Sequence, residues 1–389
     1  MTIKKSKTIV RSSWLRVGWL LPLALAVAAG SEAATKTVVD TTARFNCPSI
    51  KIGGDGLGLL AYYDEDNANL KVAHCNDLAC TSAAVTVLDS YGDMGQEVSL
   101  AIGSDGFGLL AYLNYTDHKL KVAHCDNAAC SSAAFSTLGD ADGAIAMAMG
   151  SDSRGLIVHS RSFEGLKVAH CNDVACTTAT SSSVLAVNGM YDTAVAVGSD
   201  GYGLIAFMDA LTERLKVAHC NDVACTSSTV TEIDVADCHT WLTRPVSVAS
   251  GPDGLGLIAY TDMNLALKVA HCENLACTSA TTVTVKSSIG DQDVGFTIGA
   301  DGLALIGYAH QNDMMLAHCN NKLCTRASFA SLETEGLAQN KSLTLGGDGV
   351  PLMGYFMYEG FYLNRLKVAH LTPPPLFDVI FADGFDYLP

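Results

Sequence analysis

The sequence predicts an all-β protein, a seven-bladed β-propeller with four-stranded blades whose last blade is completed by an N-terminal strand. Three observations carry this. The string Leu-Lys-Val-Ala-His-Cys, in full or varied form, returns seven times at intervals of roughly 49 residues. Each interval holds four short apolar or alternating segments divided by turn residues. The last copy stops after its third segment, and a spare fourth segment precedes the first copy.

The chain opens on a basic stretch, Lys4, Lys5, Lys7, Arg11 and Arg16, followed by an apolar run of 13 residues, Val17 to Ala29. That length suits the core of a signal peptide and is short for a membrane span. Small residues at Ser31 and Ala33 place a cleavage after Ala33. No Cys follows the run closely and no Arg-Arg pair precedes it, so neither a lipoprotein anchor nor twin-arginine export is expected. The expected organisation is a signal peptide over 1–33, the propeller over 34–375 and a tail over 376–389. Cleavage removes five of 24 basic residues and one of 40 acidic ones, which leaves a net charge of −20. So acidic a surface repels phosphate backbones and anionic lipid, so no nucleic-acid partner is expected, and no later segment is apolar enough to span a bilayer.

The motif stands intact at Leu70–Cys75, Leu120–Cys125, Leu166–Cys171, Leu215–Cys220 and Leu267–Cys272, and in varied form at Met314–Cys319 and Leu366–Leu371. The second repeat shows the elements in order. Val98–Ile102 is strand a, Gly103–Gly106 an Asp-Gly turn, Leu109–Leu113 strand b, Leu120–Cys125 strand c and Ala133–Leu138 strand d. Continuous apolar runs such as Gly56–Tyr63 predict burial on both faces. Nothing after the leader reads as a long amphipathic helix.

Four strands per repeat of this length is the arithmetic of a propeller blade. The seventh repeat is followed at once by Thr372-Pro373-Pro374-Pro375, and proline cannot donate to a sheet ladder. Its missing strand d has a candidate in Lys36–Asp40 (KTVVD), which resembles the strand d segment Val85–Asp89 (VTVLD). Such a closure protects the sheet edges that an open array would leave bare.

Twelve of 14 cysteines form C-x4-C pairs: Cys75/Cys80, Cys125/Cys130, Cys171/Cys176, Cys220/Cys225, Cys272/Cys277 and Cys319/Cys324. In an exported chain these are expected disulfides. A metal site is disfavoured, because an extended His-Cys dipeptide sends its two side chains to opposite faces. Cys47 and Cys238 remain and could pair across one mouth of the ring.

A residue repeated in every blade is spread around the ring by symmetry. The seven motif histidines therefore cannot converge on one substrate, and they read as buried imidazoles tying strands together. A unique site belongs where the repeat is broken. The largest break is Asp234–Pro245, which adds His239, Trp241 and Arg244; Trp and Arg are frequent binding anchors, although a longer loop that merely covers the rim accounts for them equally well. Blade 7 adds Tyr358, Glu359, Tyr362 and Arg365 to its b–c loop. In blade 3, His159 and Arg161 replace the usual Tyr-x-Asp, and His310 and Asp313 interrupt blade 6. No hydrolase signature or cofactor fingerprint is present, and no cofactor or metal is expected.

The repeat G-x-D-G-L-G-L-[LI]-A-Y-x-D followed by L-K-V-A-H-C-N-D-x-A-C-T-S resembles a repeat of exported bacterial proteins, and it is loosely similar to sialidase-type propeller repeats. The S-x-D-x-G-x-T-W box of the latter is absent here. The tail Val379–Asp386 resembles a short C-terminal segment of exported proteobacterial proteins, which implies a Gram-negative source and a secreted or periplasmic location. The function expected is a non-enzymatic scaffold that binds a glycan or an extracellular protein through its loop face. The alternatives are a polysaccharide hydrolase or lyase using loop carboxylates, and a structural cell-surface component.

Overall fold

Each repeat folds as four antiparallel strands, called a to d from the axis outward, and seven such sheets form the ring. The computed structural model describes residues 34–41, 48–186, 190–209, 211–236, 245–289, 293–311, 313–333, 337–358 and 364–371. No helix occurs among them. Residues 1–33, read above as a signal peptide, the residues after Leu371, and Cys47 and Cys238 lie outside the described residues.

Blade 1 shows why the sequence sorts itself radially. Its strands are Ser49–Ile52, Gly58–Asp64, Asn69–Cys75 and Ala83–Asp89. Strand b is buried at every residue, as its unbroken apolar run requires, because neighbouring blades cover both of its faces. Strand d, at the outer rim, is mostly exposed or half-buried. The seven inner strands, Ser49–Ile52, Met94–Ile102, Ile145–Met149, Met190–Val197, Val246–Ser250, Gly295–Ile298 and Leu337–Leu345, touch one another in a closed cycle.

Closure is as expected. Thr35–Asp40 pairs antiparallel with the third strand of blade 7, Asn364–His370, from Thr35 opposite His370 to Asp40 opposite Leu366. The last blade thus joins both ends of the described chain.

The face carrying the a–b turns is held by one device repeated in all seven blades. The motif histidine, at the end of strand c, meets the Asp of the Asp-Gly turn or its counterpart. His74 Nε2 lies 2.8 Å from Asp55 Oδ2, and His124, His219, His271, His318 and His370 make the same contact with Asp105, Asp200, Asp253, Asp301 and Asp348 at 2.8–2.9 Å. In blade 3 His170 Nε2 stands 3.0 Å from Asp152 but makes no hydrogen bond to it, so there the contact is one of charge proximity only. The other carboxylate oxygen accepts the backbone N–H two residues on, as from Leu57 to Asp55 at 3.1 Å. The imidazole therefore ties strand c to the turn between a and b.

Successive turns also touch. Gly54 N–H donates to the Gly106 carbonyl at 2.9 Å, and a Cβ at Gly54 would stand 2.7 Å from Gly106 Cα. Ser151 and Ser199 donate their hydroxyls to the Gly201 and Gly254 carbonyls, both at 2.9 Å. In the turn of blade 2 only Gly106 has positive φ, +82°. Asp105 adopts an ordinary conformation and serves through its carboxylate instead.

The C-x4-C pairs are disulfides in the loop between c and d, as the spacing predicts: Cys75–Cys80, Cys125–Cys130, Cys171–Cys176, Cys220–Cys225, Cys272–Cys277 and Cys319–Cys324. These cysteines are cross-linked and buried, so they hold the loop and offer no thiol to a ligand. The spacing does not reveal their backbone. The second cysteine of every pair, Cys80, Cys130, Cys176, Cys225, Cys277 and Cys324, is left-handed, with φ between 49° and 54°. Its N–H donates to the carbonyl three residues back, as from Cys130 to Asn127 and from Cys225 to Asp222, both at 3.0 Å, so a tight turn brings the two sulfurs together. Blade 7 has the buried Leu371 where the other blades have their first cysteine.

Candidate functional site

The b–c hairpins and the d–a connections share the face opposite the disulfides, called here the loop face. Its rim is built from a clamp between neighbouring blades. The Asp that ends strand d of one blade accepts from a Tyr and a Lys of the next. Asp89 Oδ2 takes the Tyr112 hydroxyl at 2.7 Å and the Lys121 ammonium at 2.5 Å. Asp234 takes Tyr260 at 2.5 Å and Lys268 at 2.6 Å. Asp40 takes Tyr62 at 2.7 Å and Lys71 at 3.1 Å, and Lys71 also pairs with the fully buried Asp64 at 2.6 Å.

The electrostatics follow from this geometry. Burial by itself would raise the Asp89 and Asp234 pKa values, but the hydrogen bonds and charge of Lys121 with Tyr112, and of Lys268 with Tyr260, outweigh it and hold both below the usual carboxylate range. The same burial and the same carboxylates push the three tyrosines far above theirs. These are structural ions, each already matched.

The sequence candidates are distributed as follows. His239, Trp241, Arg244, Glu359 and Tyr362 lie outside the described residues. Arg161 lies 2.7 Å from Asp140, at the end of blade 2, and 2.8 Å from Glu164, so its guanidinium serves the blade 2–blade 3 junction in place of the Tyr–Asp–Lys clamp. His159 occupies the tyrosine position. It is 4% exposed, its Nδ1 has no hydrogen-bond partner, and burial, then the charges of Lys167 and Arg161, lower its pKa to about 4. His310 and Asp313 stand opposite each other at the mouth of the b–c hairpin of blade 6. Tyr358 and Arg365 flank the corresponding hairpin of blade 7, opposite Asn364 and Met357. The described candidates therefore sit on separate blades and form no single cluster.

Two features escaped sequence reasoning. The first is an arc of exposed apolar side chains on the loop face. Tyr91, Tyr115, Phe163, Leu211 and Met263 occupy loops of successive blades from the blade 1–2 connection to blade 5, with exposures from 49% (Tyr115) to 90% (Tyr91). None belongs to the repeat. On the opposite face Leu78, Leu275 and Leu323 are exposed by 40–44%, but all three lie inside the repeated Cys loop, Leu78 and Leu275 three residues after its first cysteine and Leu323 four.

The second is the wall of the central channel. Pairing with strand b sets one residue of each inner strand at a common height. Lys51 faces Leu59 in blade 1, and its counterparts are Ala101, Ala148, Ala196, Ala249, Thr297 and Thr344. A cavity of about 480 Å³ opens here, walled mainly by Ala, Val, Ile, Leu and Met, with hydroxyls at Ser250 and Thr344. Toward the loop face it meets a tighter space of about 140 Å³ that Lys51 also lines. Lys51 is the one charged residue lining either space, and no carboxylate lines them among the described residues.

No protein-family model matches the chain, and no curated protein matches it. Solved structures share its fold. One is a protein of unknown function from Dyadobacter fermentans, 13% identical, with a TM-score of 0.55 over 86% of this chain and 96% of that one. Another is a catalytically inactive virginiamycin B lyase from Staphylococcus aureus with quinupristin, 12% identical, with a TM-score of 0.55 over 87% of this chain and 100% of that one. The NanB sialidase of Streptococcus pneumoniae is 9% identical, with a TM-score of 0.52 over 85% of this chain and 69% of that one. Identities this low speak for the propeller architecture and for nothing finer.

Proposed function

We infer that the protein is an exported, non-enzymatic scaffold that binds a glycan or an extracellular protein through its loop face. The observation that carries this is the arc Tyr91, Tyr115, Phe163, Leu211 and Met263. Scattered apolar residues are normal on a surface, but a run of them on one face of successive blades, outside the repeat, marks a recognition patch. Rigid aromatics lose little entropy on binding and offer faces to sugar rings or apolar side chains. In the proposal the sequence candidates His239, Trp241, Arg244, Tyr358, Glu359, Tyr362 and Arg365 extend this surface.

A further observation supports the reading. The recurring His, Asp, Tyr and Lys side chains are engaged in the clamps and turn contacts described above. Six disulfides suit an oxidising compartment, which agrees with a secreted or periplasmic location.

The test is a glycan array together with a panel of extracellular proteins, run on the wild type and on a Tyr91→Ser/Phe163→Ser variant. Binding that falls at least tenfold in the variant supports the reading. Turnover of any polysaccharide by the purified protein overturns the non-enzymatic assignment. Binding that ignores both substitutions removes the loop face from it.

A further inference from the structure

Lys51 breaks the symmetry of the channel. At its height four blades carry Ala and two carry Thr, so the repeat calls for a small side chain there. Blade 1 places a long cation in that ring. Its ammonium makes no hydrogen bond or ion pair among the described residues, unlike Lys71, Lys121, Lys216 and Lys268, which all meet carboxylates at the loop-face rim. The side chain is exposed and lines the channel cavity, whose wall around it is mostly apolar. An unpaired cation beside an apolar wall attracts a counter-ion more strongly than it would in bulk water.

The surroundings say what kind of counter-ion. Blade 7 precedes blade 1 around the ring, so Thr344 and Lys51, which both line the cavity, are polar neighbours at one height; Thr297 of blade 6 shares that height but lines neither space. The other blades complete the ring with Ala101, Ala148, Ala196 and Ala249. Met147 and Met149, also lining the cavity, add adaptable apolar surface. The cavity therefore has one positive pole, the Thr344 hydroxyl beside it, a second hydroxyl at Ser250 and an otherwise apolar wall, in a volume of about 480 Å³ that matches small-molecule sites.

We propose that the central channel binds a small organic monoanion, a carboxylate with a short apolar body, whose carboxylate pairs with Lys51 and accepts from the Thr344 hydroxyl while the apolar body lies against the alanine arc. One cation matches one negative charge; a dianion would bring an unmatched charge into a wall with no second cation. Although Lys51 is exposed to the channel, desolvation by the atoms packed around it lowers its pKa, so an anion that restores the charged form gains from doing so. This site is independent of the loop face, and either can fail without the other.

The experiment uses the purified protein with its disulfides intact and ligand-observed NMR, with butyrate and benzoate as probes and chloride and inorganic phosphate as competitors. Saturable binding of butyrate or benzoate is expected, with at least tenfold weaker binding in Lys51→Ala and near-wild-type binding in Lys51→Arg. Lys51→Ala installs the residue that four other blades already carry, so its fold should hold, and an unchanged melting temperature in the absence of probe checks this. No saturable binding, equal binding by Lys51→Ala, or displacement of the probes by equimolar chloride or phosphate overturns the proposal.

Discussion

The carboxylate of Asp40, on the strand that closes the ring, accepts the hydroxyl of Tyr62 in the first blade at 2.7 Å. The strand therefore does two jobs. Its backbone completes blade 7 by pairing with Asn364–His370, and its last side chain locks that blade to blade 1 through Tyr62 and Lys71. Asp89 and Asp234 do the second job at ordinary junctions, where strand d follows strand c in the same blade. Ring closure thus reuses the clamp that joins consecutive blades.

Asp40→Ala should lower the unfolding free energy by about 2 kcal/mol, the scale for a charged hydrogen bond lost from a mostly buried site. Lys71 keeps Asp64 at 2.6 Å, which limits the loss. Deleting residues 34–41 should do more: it bares the edge of Asn364–His370 and invites pairing between molecules. Urea denaturation checks the first expectation, and light scattering of the truncated protein checks the second. A truncated protein that stays monomeric with wild-type stability would show that the strand does not close the ring.

His159 gives a pH dependence with a definite sign. Burial keeps the folded imidazole neutral down to about pH 4, whereas the unfolded chain takes up a proton below its ordinary value of 6.5. Stability should therefore fall as pH drops from 6.5 toward 4, by about 3 kcal/mol from this residue alone, and level off below. Phe207 fills the equivalent position in blade 4, so His159→Phe is a tolerable replacement. The difference in unfolding free energy between variant and wild type should grow in favour of the variant as pH falls through this window. A difference independent of pH would show that His159 is not a buried neutral imidazole.

What the sequence revealed depended on repetition. The closing strand was legible because Lys36–Asp40 copies Val85–Asp89, and the disulfides because the C-x4-C spacing recurs. The structural role of the motif histidines was legible from symmetry alone. Their partner was not: Asp55 and its copies sit in Asp-Gly pairs, where a turn explains the residue without any role for its carboxylate. Arg161 looked like a break in the pattern, yet across the blade boundary it restores a junction through Asp140, which sequence separation conceals. Lys51 went unnoticed because blade 1 has an inner strand of only four residues, too short for periodicity to mark it. Its counterparts emerge only once pairing with strand b fixes a common height. Tyr91 and Phe163 lie in loops of unequal length that share no period, so only the closed ring brings them to one face.

The turn collar should be intolerant of side chains at one position in particular. A Cβ at Gly54 would stand 2.7 Å from Gly106 Cα and 3.0 Å from its carbonyl oxygen, both backbone atoms that cannot step aside alone. Gly54→Ala should cost about 1–3 kcal/mol through overpacking. Blades 3 and 4 carry Ser151 and Ser199 at this position and use the hydroxyl on the next turn, so Gly54→Ser should recover part of the loss. Chemical denaturation of the two variants compares them directly, and an alanine variant as stable as the wild type would mean that the turns of blades 1 and 2 do not touch.

The disulfide loops allow the cross-link to be separated from the backbone it holds. Cys80 is left-handed at φ 53°, a conformation that costs a residue with a Cβ about 1–2 kcal/mol. The six-residue ring closed by Cys75 and Cys80 contributes about 2 kcal/mol in the chain-entropy description. The loop has other anchors: Cys80 N–H donates to the Asp77 carbonyl and Thr81 N–H to the Asp77 carboxylate, both at 3.0 Å. Removing one bridge should therefore weaken the blade without unfolding it, as blade 7 shows by folding with Leu371 in place of the first cysteine. Cys75→Ala/Cys80→Ala should lose the cross-link and keep the left-handed cost, whereas Cys75→Ala/Cys80→Gly loses the cross-link but relieves it. The glycine variant should be the more stable of the two by about 1 kcal/mol in urea denaturation, since alanine at positive φ is strained where glycine is not. Equal stabilities would mean that the loop relaxes out of the left-handed conformation once the bridge is gone.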